Sequence, residues 1–268
     1  MSVDINVEAQ KLREMYASDD RTESFNAIVY GGMGTGKTSL LATARKPVLL
    51  HSFDPGGAKV LDAEVKKGEI IVDSRYEVDD PTNPTAFNKW LDECKRLERI
   101  GMFGHLGTYC IDSLTMWATS ALNRVLKTAG RAGGTPQQND WYPQMILIEN
   151  AVRTLTALPC DFILIGHEDS HKDEVLGKIS YKLMVTGKLV ARLPAMFDEI
   201  YHAEVKDSSK GPEHFLRTRR NGTYDARTRL GRRGIFDELE KPDIKHLLKK
   251  AGKSTEDKPL LFGPATVE

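Results

Sequence analysis

From Asn26 onward, short uninterrupted apolar runs alternate with longer stretches in which apolar residues recur every three or four positions. The runs Asn26–Tyr30, Val48–Ser52, Glu69–Asp73, Thr108–Ile111 and Asp161–Ile165 lack polar alternation, which predicts strands buried on both faces. Between them, Phe87, Leu91, Cys94 and Leu97 mark an amphipathic helix over Pro84–Ile100. A helix is expected directly after the first strand and its glycine-rich loop, and a helix, loop and helix between residues 113 and 160. Strands alternating with helical connections imply an α/β domain, a mostly parallel sheet flanked by helices. After His167 the pattern changes to Lys178–Val185, Glu199–Lys206, Glu213–Arg219 and Thr223–Thr228, which read as β-strands and hairpins turning at Asn221-Gly222. A last helix is expected over Asp243–Ala251, stopped by Gly252. The expected organisation is a polar leader over 1–23 with a helix at Val7–Tyr16, one domain over 24–252, and a flexible tail over 253–268 carrying Leu260-Leu261-Phe262.

Composition changes this picture little. The chain has 268 residues, 40% hydrophobic and 28% charged, enough for a sizeable core. No apolar run approaches the roughly 18–20 residues that span a bilayer, and Met1–Asp20 is polar rather than signal-like. A cytoplasmic protein without a membrane partner is the expectation, with Cys94, Cys110 and Cys160 as buried free thiols. Charge changes it more. The net charge is zero, yet residues 206–253 hold 14 Lys and Arg against 7 Asp and Glu. An anionic partner therefore remains compatible with the neutral total.

The chemistry concentrates in Gly31-Gly32-Met33-Gly34-Thr35-Gly36-Lys37-Thr38, with Ser39 following, which satisfies G-x-x-x-x-G-K-[ST] between a strand and an expected helix. Backbone N–H groups at such a loop point into a concavity that holds a polyphosphate, and glycines let the main chain approach it. Lys37 then reaches the β- and γ-phosphates, and the Thr38 hydroxyl is placed for Mg²⁺. ATP with Mg²⁺ is the expected cofactor.

Three further residues fall at expected strand ends, where ligands of such sheets bind. Asp112 ends an apolar strand about 75 residues after the loop and suits a second Mg²⁺-ordering group, or a helix N-cap. The next residue, Ser113, suits the N-cap equally, and a glutamate base is missing there. Asp54 is the best substitute to activate water, or else a turn residue before Pro55-Gly56. His167 suits a γ-phosphate sensor, or caps a strand. His167-Glu168-Asp169-Ser170-His171 also spells H-E-x-x-H, but that zinc motif needs a helix and here follows a strand.

With these residues assembled, the chain resembles the RecA-like P-loop ATPases, and within them the phage-type nucleotide-binding, single-strand annealing recombination ATPases. The resemblance rests on Gly31–Thr38, Asp54-Pro55-Gly56-Gly57, Ile111-Asp112-Ser113, Ile165–Glu168, Leu193–Glu199 and Ala226–Arg229, and spans about Phe25–Leu230. Asp54 stands where that family more usually has glutamate. The resemblance implies a RecA-like core with a C-terminal antiparallel β extension and DNA-stimulated ATP hydrolysis in recombination, annealing or replication-associated repair. It also implies self-assembly into a ring or filament, with Arg227 and Arg229 as first candidates for a finger reaching a neighbour's phosphates, and Arg217 and Arg219 as runners-up. Single-stranded DNA would lie on two loops, Gly130–Tyr142 with Arg131 and Trp141, and Glu168–Lys188 with Lys172, Lys178, Lys182 and Lys188. The tail would engage a single-strand-binding protein or another replication or recombination partner. Two other readings stand beside it: an ATP-gated recruitment module with little turnover, and a P-loop small-molecule kinase.

Overall fold

The computed structural model describes residues 4–17, 19, 23–172, 174, 177–209, 211–231 and 234–263. Parts of the leader, of the second loop (173, 175, 176) and the end of the tail (264–268) lie outside the described residues.

The strands are β1 Asn26–Gly31, β2 Val48–Ser52, β3 Ile70–Asp73, β4 Thr108–Asp112, β5 Asp161–Lys172, β6 Ile179–Leu183, β7 Glu199–Ser208, β8 Gly211–Arg217 and β9 Leu239–Glu240. They form one sheet in the order β3-β2-β4-β5-β1-β7-β8-β9, with β6 paired to β5. β3 through β7 along this order run parallel, while β8, β9 and β6 are antiparallel. This is the RecA-like arrangement: β5 is interposed between the strand leading to the phosphate loop and the strand ending in Asp112. β1, β2 and β4 are buried throughout, as their unbroken apolar runs predict.

The helices are α1 Ile5–Ala17, α2 Asp62–Lys66, α3 Ala86–Arg99, α4 Leu114–Thr128, α5 Trp141–Leu155, α6 Leu189–Ala195 and α7 Ile244–Lys250. One sheet face packs Ile28, Tyr109 and Phe162 against Trp90 of α3, Trp117 of α4, Ile148 of α5 and Leu193 of α6. The other packs Val29, Leu50 and Ile163 against Leu40, Leu41 and, from α7, Ile244, Leu247 and Leu248.

Four sequence expectations need correction. The helix expected after the phosphate loop is a single 3-10 turn, Ser39–Thr43. Only ten residues (38–47) join Lys37 to Val48, too few for a long helix and a return to the sheet's starting edge. α7 covers the vacant face instead, and Ile244 N donates to Thr43 Oγ1 at 2.9 Å. Strand five does not end at His167 but runs on to Lys172, because β6 pairs with its extension. Thr223–Thr228 is not a strand; it forms single bridges at Tyr224 and Arg227. Finally, α6 was not foreseen, its Pro194 reading against a helix.

Part of the expected tail lies on the body. Asp257 accepts from Lys46 N at 2.7 Å and Lys245 Nζ at 2.7 Å, and Phe262 packs over Gly68.

Candidate nucleotide site

Parallel registration brings the carboxyl ends of four strands level. Ser52 pairs with Asp112, Asp112 with Ile165, and Gly31 with His167. The phosphate loop curls over them, and together they line a cleft of about 560 Å³ holding Lys37, Thr38, Asp54, Asp112, His167 and His214. Every strand-end residue singled out from sequence is therefore in one place.

The Lys37 ammonium is buried and donates to Gly31 O at 2.9 Å and Gly32 O at 2.6 Å. Burial lowers its pKa, opposed by Asp112, Glu168 and Asp54. The Thr38 hydroxyl donates to Asp112 Oδ2 at 2.6 Å. Burial pushes the Asp112 carboxyl up to about 6, against the Thr38 hydrogen bond. A hydroxyl and a carboxylate side by side beneath a phosphate loop fit Mg²⁺, which prefers oxygen donors and keeps phosphate and water ligands. The described residues contain no cluster of three or more His, Cys, Asp or Glu that could hold a metal ion. The H-E-x-x-H sequence lies on β5, an extended strand, and makes no zinc site.

Asp54 sits across the cleft. Its Oδ1 accepts from Ser113 Oγ at 2.8 Å and its Oδ2 from His167 Nε2 at 2.9 Å. Burial raises its pKa, but these hydrogen bonds outweigh it and hold the carboxyl below its ordinary value. Its turn is tied down by Glu77, which accepts from Ser52 Oγ at 2.7 Å and Gly56 N at 3.1 Å, and Gly56 takes a left-handed φ of 73°.

Sequence reasoning missed several participants. Ser113 caps α4 by accepting from Met116 N, the N-cap role its position suits, but its hydrogen bond to Asp54 was not foreseen. β1 stops at Gly31 while its neighbours continue, and Glu168 of β5 and His202 of β7 meet across the gap at 2.6 Å, with Glu168 against Gly32. His214 of β8 lies 3.2 Å from Thr35 O. No local pattern marks these residues; pairing of distant strands assembles them.

The remaining predicted residues lie elsewhere. The Arg227 guanidinium donates to Pro194 O and Phe197 O at 2.7 Å each, and Arg229 contacts Ala195 O and Asp198. Arg217 is buried between Glu204 and Glu238, and Arg219 is exposed and donates to Phe236 O. Arg131 pairs with Asp140, staying within its loop, and Trp141 begins α5 half-buried. Lys172 and Lys182 stand on the β5–β6 hairpin, with Lys178 just before β6; Lys188 precedes α6.

The sheet order, the phosphate loop and the Thr38–Asp112 pair together define a P-loop nucleoside triphosphatase of RecA-like fold. The chain belongs to the AAA domain family AAA_24, which it matches over residues 24–230. No curated protein matches the sequence. Among solved structures it is similar to a KaiC-like protein, PH0186, from the archaeon Pyrococcus horikoshii OT3, at 11% identity and a TM-score of 0.42, covering 77% of this chain and 82% of that one. It is also similar to the flagellar accessory protein FlaH from Methanocaldococcus jannaschii, at 13% identity and a TM-score of 0.40, covering 72% and 76%. No helix among the described residues is long and apolar enough to cross a membrane.

Proposed function

We propose that the chain hydrolyses ATP and that single-stranded DNA, bound on the β5–β6 hairpin, accelerates the reaction. Lys37 leaves its two carbonyl partners for the β- and γ-phosphates, while Thr38 and Asp112 hold Mg²⁺. When bound, the ion neutralises charge on the phosphate oxygens. Asp54, kept ionised by His167 and Ser113, is the base that takes a proton from the attacking water. His167 shares that carboxylate and so responds to what occupies the cleft. A finger from a neighbouring copy completes the site, because the described residues lining the cleft include no arginine; Arg229, half exposed, is the better placed of the two first candidates. Assembly with ATP between copies and a role in recombination, annealing or repair belong to this reading, with the tail as a docking element for a protein partner.

The observation that carries the reading is the Asp54–His167 hydrogen bond at the root of the lysine-bearing hairpin. A second connection runs parallel to it. His202, bonded to Glu168, stacks on Tyr224 with centroids 3.9 Å apart, and Tyr224 stacks on Tyr181 of β6 at 5.4 Å. Steady-state ATP turnover with and without oligo(dT) tests it. Severalfold stimulation that fades as salt is raised is expected, because lysine–phosphate contacts release counterions. ATP binding with negligible turnover and no response to DNA would instead favour the recruitment module.

A further inference from the structure

α1 is a 13-residue helix none of whose residues is buried. A helix of that length that packs against nothing is marginal in water. Its apolar residues are nevertheless placed rather than scattered. Ile5, Ala9, Leu12 and Tyr16 follow one another at intervals of four, three and four, which on a helix puts them in one narrow stripe. Ile5, Leu12 and Tyr16 are 77%, 60% and 75% exposed. Gln10, Lys11 and Glu14 fall on the opposite face. One charge flanks the stripe on each side, Glu8 on one and Arg13 on the other.

We propose that α1 pairs with α1 of a second copy of this chain as a short parallel coiled coil, with Glu8 of each helix meeting Arg13 of the other. In heptad terms Ile5 and Leu12 take position d, Ala9 and Tyr16 take a, Glu8 takes g and Arg13 takes e. Leucine at d suits a two-stranded coil. Parallel helices in register bring g of one beside e of its partner five residues further on, so the Glu8–Arg13 pair forms twice. An antiparallel pair would set Glu8 against Met15 and Arg13 against Asn6, without opposite charges. Glu8 also lies 3.7 Å from Lys11 of its own helix, but both side chains are more than half exposed. Such a pair is too weak to hold the carboxylate away from Arg13. A lipid surface fits less well, because an interfacial helix is rich in Lys and Arg on its polar side. Here Lys11 and Arg13 are balanced by Glu8 and Glu14. The contact is a two-fold one between identical surfaces, so it stands apart from the proposed assembly around ATP.

The test uses the full chain without nucleotide and reads disulfide linking between copies under a mild oxidant such as diamide. Two heptads bury little surface, so the protein is held at tens of micromolar. Cys94, Cys110 and Cys160 are buried and do not compete. Leu12→Cys, in the seam, should link two copies at least tenfold faster than Gln10→Cys or Glu14→Cys on the outer face. On the Leu12→Cys background, Glu8→Arg or Arg13→Glu alone should slow linking severalfold, and the two together should restore it. Equal linking at all three positions, or a rate indifferent to the charge changes, overturns the coil. Faster linking of an Ile5→Cys chain to a Tyr16→Cys chain than of Leu12→Cys to itself overturns the parallel register. No linking of Leu12→Cys overturns the pairing altogether. Binding of a non-hydrolysable ATP analogue, measured on each variant, should equal that of wild type. It reports the fold and keeps a failed pairing distinct from a failed nucleotide site.

Discussion

At the scale of single residues, the phosphate loop is set by how closely its backbone packs on the sheet. A Cβ on Gly31 would lie 2.6 Å from the backbone oxygen of Ala203, which cannot move aside without shifting β7. Gly31→Ala should therefore displace the phosphate loop and cut ATP affinity at least tenfold by calorimetry, with the fold retained by circular dichroism. Away from the cleft, His51 is fully buried and hydrogen-bonded to the Tyr109 hydroxyl at 2.9 Å, and burial lowers its pKa to about 4. Its folded pKa lies below the unfolded value near 6.5, so the unfolded chain binds the proton more readily and stability is lost as pH falls from about 6.5 toward 4. A comparison of wild type with His51→Gln isolates this group from Asp112, whose raised pKa acts in the opposite direction. The destabilisation measured for the variant at pH 7 should shrink by about 2 kcal/mol at pH 5 in urea titrations. An unchanged difference would mean His51 is not desolvated. Lys37, Thr38, Asp54, Asp112 and His167 were legible because motif and strand-end position are local signals. The hold of Ser113 on Asp54 and the roles of Glu168, His202 and His214 were not, because each comes from a strand or loop far away in sequence.

At the scale of elements, the notable departure is the one-turn connection after the phosphate loop. A shortened helix leaves the face of Val29, Leu50 and Ile163 to be covered by α7, more than 200 residues downstream. α7 itself was readable as a short helix stopped by Gly252, and the structure bears this out: Asp243 accepts from His246 N at 2.9 Å and Gly252 takes a left-handed φ of 72°. What it packs against was not readable, since no local pattern names a distant partner. Its Leu248 is fully buried, so Leu248→Ala should cost about 2–5 kcal/mol by the loss of buried methyls and the cavity left behind. The same substitution at the exposed Leu260 should cost a small fraction of that in the same denaturation assay. Equal effects would show that α7 does not anchor this face. β5 teaches a related lesson: its apolar run marked where burial ends, not where pairing ends, and the hairpin beyond His167 is largely polar because only its last residue, Leu183, is buried in a core.

For the whole molecule, the sheet collects groups from four strand ends into one cleft and carries one of those strands onward into a lysine-bearing hairpin. The parallel half of the sheet was legible as a run of two-sided apolar strands, and the antiparallel half as a change of pattern after His167. How the halves meet, with Glu168 and His202 bridging the end of β1, follows only from strand order. That order also makes Asp54 and Lys37 face each other across the cleft. The most direct test is the rate of Mg²⁺-dependent phosphate release from ATP by wild type, Asp54→Asn and Lys37→Ala, measured with nucleotide binding on the same samples. Wild type should turn over. Asp54→Asn should bind ATP with nearly unchanged affinity but release phosphate about 10²–10⁴-fold more slowly, the range for loss of a positioned general base, and Lys37→Ala should lose binding as well. Full turnover by Asp54→Asn would remove the base from the account, and full turnover by Lys37→Ala would contradict the site itself.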